Sequence, residues 1–99
     1  MKEEISEFLE RVRRELNPEK IILFGSRVKE DYLKDSDYDI IVVSRKFEGM
    51  SFFERLYMLY KLWDYDFHAD ILAYTPEEFE VKKKEIGIVK QAVKEGIEV

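Results

Sequence analysis

The chain has no cysteine, so no disulfide framework is available and packing has to hold it together. This fits a reducing compartment. No apolar run is long enough to span a bilayer, and the opening MKEEISEF carries acidic residues where a signal peptide would carry basic ones. The expectation is a soluble, cytoplasmic protein with no membrane contact. Basic residues are in the minority, 17 against 22 acidic, for a formal net charge of -5. That balance excludes an extended nucleic-acid surface, which depends on clustered Lys and Arg. With His68 as the single histidine and no cysteine, zinc sites have no ligand set. There is no G-x-x-x-x-G-K-[ST] and no G-x-G-x-x-G, so neither a P-loop nor a dinucleotide fold is supported. Asn and Gln occur once each, as Asn17 and Gln91, while Lys, Glu and Arg abound, the bias of thermophile proteins.

What is present reads as one domain over residues 1–99. Ile5, Phe8, Leu9, Val12 and Leu16 recur at helical spacing, and Asn17-Pro18 ends that pattern. Residues 20–24 and 38–43 are β-branched runs that read as strands, and residues 67–74 as a third. Ser51 with Glu54 predicts a capping box and a helix over 52–63; Thr75-Pro76 with Glu78 predicts another, to about residue 84. The run IVKQAVKE reads as a short helix that Gly96 stops, and IEV as an edge strand. The fold class is therefore α/β (α+β): a small mixed sheet with helices packed on it.

Two features serve no purpose in a core built for stability alone. The strand IILF breaks on Gly25-Ser26, and after ten intervening residues the next strand opens on Asp37-Tyr38-Asp39. Residues two apart on a strand share a face, so Asp37 and Asp39 present their carboxylates together while Tyr38 and Ile40 face the other way. Two such anions roughly 5 Å apart repel by about 3 kcal/mol at an effective dielectric of 20. A divalent cation removes that cost, and Mg²⁺ characteristically takes one or two carboxylates beside phosphate oxygens. Gly25 gives the backbone freedom for a sharp turn, and Ser26 with the N–H groups after it forms a cradle for phosphate. Asp70, within HADIL, supplies the third acid of a two-metal arrangement, as a metal ligand or as the base. His68 stands two residues earlier on the same face, where it could touch substrate or tune that carboxylate; a partly buried histidine satisfied by a neighbour is the plainer expectation for it.

The segment GSRVKEDYLKDSDYDI resembles the signature of the DNA polymerase beta-type nucleotidyltransferase superfamily, and the chain's size resembles its minimal nucleotidyltransferases. The resemblance implies a nucleotidyltransferase fold, ATP or another nucleoside triphosphate as substrate and Mg²⁺ as cofactor. It implies phosphate contacts at Gly25 and Ser26, with Arg27 and Lys29 adding positive charge, and a catalytic and metal-binding triad of Asp37, Asp39 and Asp70. One departure is Glu30, where the family often has glycine.

The helix over 52–63 carries Phe52, Phe53, Leu56, Tyr57, Met58, Leu59, Tyr60, Leu62 and Trp63, more apolar surface than one core-facing stripe uses. Part of it should stay outside and serve as an interface. Minimal nucleotidyltransferases of this resemblance are paired with helical HEPN proteins, often ribonuclease toxins, as antitoxins that transfer AMP to a partner tyrosine. The resemblance therefore implies AMP transfer to a hydroxyl of a HEPN-type partner, or self-association through helix 52–63. The alternative is a binding module of the same fold that neutralises its partner by occlusion. Transfer to a small molecule such as an aminoglycoside would call for an acceptor domain that these residues leave no room for.

Overall fold

A computed structural model describes residues 2–25 and 38–99. A 3-10 turn, Lys2–Ile5, leads into α1, Ser6–Leu16. Strands β1 (Lys20–Phe24) and β2 (Tyr38–Val43) follow, then α2 (Phe52–Lys61), β3 (Ala69–Tyr74), α3 (Pro76–Lys82), α4 (Ile88–Glu95) and a two-residue β4 (Ile97–Glu98). The expected order of elements is the observed one. Each boundary has a local cause. Asn17 takes a left-handed conformation (φ 42°) and returns its N–H to Arg13 O, which closes α1. Both capping boxes form: Ser51 with Glu54 at α2, and Thr75 with Glu78 ahead of Pro76 at α3.

The sheet order is β3-β2-β1-β4. β1 is antiparallel to β2 and β4, and β2 is parallel to β3, so α2 serves as the crossover that parallel neighbours need. Helices cover both faces. Leu23, Tyr38, Ile40, Val42, Ile71 and Ala73 point into one core with Phe8, Leu9 and Val12 of α1 and Leu59 of α2. Ile22, Ile41 and Val43 point the other way, onto Phe79 of α3 and Val89 and Ala92 of α4. Gly96 lets α4 cross close to β1: a Cβ there would lie 2.5 Å from Ala92 O and 2.8 Å from Leu23 O.

Two helices end two residues sooner than the sequence suggests, α3 at Lys82 and α2 at Lys61, and for α2 the cause is tertiary. α2 stops at Lys61, and Trp63 turns back onto α1, its indole N–H donating to Phe67 O (3.0 Å) and its ring edge-on to Phe8 at 4.9 Å. Trp63 therefore belongs to the core and not to the outer surface of α2; burial of a ring whose N–H has a partner outweighs two more helical residues.

Candidate functional site

Tyr38 and Ile40 are fully buried on the α1–α2 side, which sends Asp39 to the opposite side, as strand alternation requires. Asp39 pairs across β1 with Phe24 and across β3 with Asp70. In-register residues of neighbouring strands share a face about 4.8 Å apart, so Asp39 and Asp70 stand side by side at one end of the sheet. Sequence order separates them by thirty residues; the parallel β2–β3 pairing closes that gap. Gly25, directly after β1, has φ 104°, a conformation that L side chains rarely adopt. Asp37, Ser26, Arg27 and Lys29, with Glu30, lie outside the described residues.

The two acids open onto a cavity of about 340 Å³ lined by Phe24, Asp39, Tyr60, Asp70, Leu72 and Ile88 among others. This is the lower end of the size at which small-ligand pockets begin. Its walls are mostly apolar and the carboxylates are its acidic groups.

Three side chains border this edge: His68, which strand alternation places on the face of Asp70, and two that escape sequence reasoning, Tyr60 and Arg55. His68 is exposed and its Nε2 lies 3.0 Å from Asp70 Oδ1, so it orients that carboxylate from the solvent side and is not the partly buried residue expected. Tyr60 reaches from α2 to the outer edge of β3, where its hydroxyl donates to Ala69 O (2.8 Å) and accepts from Ile71 N (3.2 Å). Burial, opposed by the Ile71 N–H and aided by the charge of Asp70, raises the phenol above its ordinary value, so it remains a donor at neutral pH. Arg55, almost fully buried, donates to Ala73 O, to Met50 O and to both carboxylate oxygens of Glu78 (2.5 and 3.1 Å). The i, i+5 spacing of Arg55 and Tyr60 carried no signal; only the edge position of β3 gives it meaning.

A family model for the nucleotidyltransferase domain matches residues 5–99. The chain belongs to the nucleotidyltransferase domain family. A candidate nucleotidyltransferase from Sulfolobus solfataricus is similar over 93% of this chain and 72% of its own, at 28% identity and a TM-score of 0.62. Another candidate nucleotidyltransferase, at 24% identity, a TM-score of 0.51 and coverage of 84% and 87%, shares the fold. BolA1 from Arabidopsis thaliana is also similar, over 74% of this chain and 92% of its own, at 29% identity and a TM-score of 0.57. No curated protein matches. A scaffold shared with proteins of different name leaves the function to the site itself.

Transferases of this family generally use a divalent metal. Among the described residues no three acidic or histidine side chains group closely enough to hold one. Asp39 and Asp70 nonetheless offer adjacent hard oxygen donors on rigid strands, which suits a hard cation that takes one or two carboxylates and fills its shell with water and phosphate. The donor set of the nucleotidyltransferase domain therefore fits Mg²⁺.

Proposed function

We propose that this nucleotidyltransferase domain moves a nucleoside monophosphate, AMP from ATP, onto a hydroxyl of a partner protein, with pyrophosphate as the other product. The single observation that carries the reading is the register of Asp39 with Asp70 at the mouth of an apolar cavity. Asp37 and Asp39 would hold Mg²⁺, which when bound supplies charge neutralisation for the triphosphate and lowers the pKa of the attacking hydroxyl, and Asp70, the alternative third ligand, would here be the base. Gly25 and Ser26 would bind phosphate through backbone N–H groups and the serine hydroxyl, with Arg27 and Lys29 balancing charge. The acceptor oxygen bonds to the α-phosphorus, the bond to the pyrophosphate oxygen breaks in line, and Asp70 Oδ2 takes the hydroxyl proton. His68, bonded to Oδ1, fixes the orientation of that carboxylate. Phe24, Leu72 and Ile88 exclude water from the apolar part of the substrate.

A HEPN-type helical protein is the acceptor that the family resemblance supports, with this chain as antitoxin. The test is transfer of label from α-labelled ATP to a co-purified partner across an Mg²⁺ titration. Asp39→Asn and Asp70→Asn should each lower transfer at least about 100-fold, and Ser26→Ala should weaken ATP binding by about tenfold. ATP affinity unchanged by Mg²⁺ and by Asp39→Asn would overturn the reading.

The second reading, a binding module that acts by occlusion, draws on the exposed aromatics of α2. Toxin rescue separates the two. Asp39→Asn that still neutralises the partner fully leaves occlusion; rescue lost with the complex intact leaves transfer.

A further inference from the structure

Of the two acids at the mouth of the cavity, Asp39 stands on a strand that is paired on both sides, to β1 and to β3. Asp70 stands on β3, the last strand of the sheet. A last strand is held by a neighbour along one side, and the backbone groups of its other side have no strand to meet. A carboxylate that has to reach a proton within hydrogen-bond distance tolerates little rocking of the backbone that carries it.

The two peptide planes that meet at the Asp70 Cα set its φ and ψ, and with them the direction of its side chain. A trans peptide points its C=O and its N–H to opposite sides. The inner atoms of these planes, Asp70 N and Asp70 O, therefore face β2, and the outer atoms are Ala69 O and Ile71 N. Both outer atoms are taken by one group: the Tyr60 hydroxyl donates to Ala69 O at 2.8 Å and accepts from Ile71 N at 3.2 Å. A phenol has one proton to give and lone pairs to receive, so a single hydroxyl closes both planes. It stands in for the absent strand at the residue that carries the acid. The other side-chain contact on this edge, Arg55 with Ala73 O, lies three residues further on and touches neither plane. Leu59, fully buried, seats this turn of α2 against the core and so fixes where Tyr60 reaches. At the far end of the Asp70 side chain, His68 Nε2 lies 3.0 Å from Oδ1.

We propose that Tyr60 is a positioning residue for the transfer reaction: its hydroxyl locks the φ and ψ of Asp70 and so aims Oδ2 at the acceptor hydroxyl. The inference rests on the transfer reading, in which Asp70 is the base. Tyr60 acts through the backbone of Asp70 and takes no proton itself.

Tyr60→Phe keeps the ring and removes the bridge. With label transfer measured at a temperature where the variant is fully folded by circular dichroism, kcat should fall at least about tenfold while KM for ATP stays within about twofold of the parent. Arg55→Met loosens the same edge at Ala73 and should keep kcat within about threefold, which separates aim from stability. The three-bond NMR couplings of Asp70, HN–Hα for φ and N–Cγ for χ1, read the geometry without any activity. They should report one extended conformer in the parent and in Arg55→Met, and averaging in Tyr60→Phe. A kcat for Tyr60→Phe within about twofold of the parent overturns the proposal, as does an equal loss in Arg55→Met. So do Asp70 couplings that Tyr60→Phe leaves unchanged, or that are already averaged in the parent. A parent chain that transfers no label counts against the transfer reading instead, and the couplings then decide whether Tyr60 holds Asp70.

Discussion

Replacing Tyr60 by phenylalanine keeps the ring and removes one hydroxyl, which strands Ala69 O and Ile71 N at the edge of β3. Unsatisfied backbone groups in part-buried positions cost about 1–2 kcal/mol, and Tyr60→Phe should lower the melting temperature by about 5–10 °C. A scanning calorimetry trace of the variant checks this. Asp70→Asn should behave in the opposite way: its carboxylate is exposed and, among the described residues, is bonded to exposed His68, so the proposed transfer should be lost while the melting temperature holds. At this scale the sequence singles out Asp37 and Asp39 because two carboxylates on one strand face are costly unless something uses them, and adds Asp70 as a third acid; that Asp39 and Asp70 are in register is seen only in the sheet. Tyr60 stays hidden, because an aromatic on an apolar helix looks like packing until the strand it touches is known to be an edge; His68 is placed on the face of Asp70 by strand alternation alone.

Between elements, Arg55 is the tie that joins α2, the end of β3 and the first turn of α3. Arg55→Met keeps the packing against Phe47 but leaves Met50 O and Ala73 O without that donor and Glu78 with the Thr75 N–H but no cation, and should cost about 2–3 kcal/mol in urea unfolding. Glu78 adds a pH dependence. Hydrogen bonds from Arg55, opposed by partial burial and supported by the Thr75 N–H, hold its carboxyl below the ordinary 4.5. A depressed carboxyl contributes stability that is complete above its unfolded value and is lost as pH falls through the folded one. Glu78→Gln should therefore melt below the parent at pH 7, and the gap should close as pH drops under about 4. Thermal melts at half-unit intervals read this directly. Gly96→Ala should cost about 1–3 kcal/mol, since its Cβ would meet two backbone oxygens, of Ala92 and Leu23, as well as the buried Ile22 side chain. The capping boxes and the Asn17 stop were readable because their signals are local. The end of α2 was not, because Trp63 answers to Phe8 and Phe67, residues far along the chain or beyond the helix.

For the molecule as a whole, the order of elements follows from periodicity, but strand order and the division of the core between two faces do not. The parallel β2–β3 pair, which makes Asp39 and Asp70 neighbours, arises only when α2 crosses over the sheet. Stability concentrates in the central strands, so Ile40→Ala, at a fully buried site, should cost about 2–5 kcal/mol and consume much of the 5–15 kcal/mol typical of a domain. Chemical denaturation of the variant measures it. The covered edge of β3 bears on the molecule's behaviour in company. A terminal strand with open N–H and C=O groups templates the addition of further strands, the route by which small sheets polymerise. Here a phenol and a guanidinium from α2 occupy Ala69 O, Ile71 N and Ala73 O in place of another strand. Whatever loosens α2 thus unblocks a growth face, and the exchange rate of the Ile71 amide with deuterium marks how often the sheet becomes contagious.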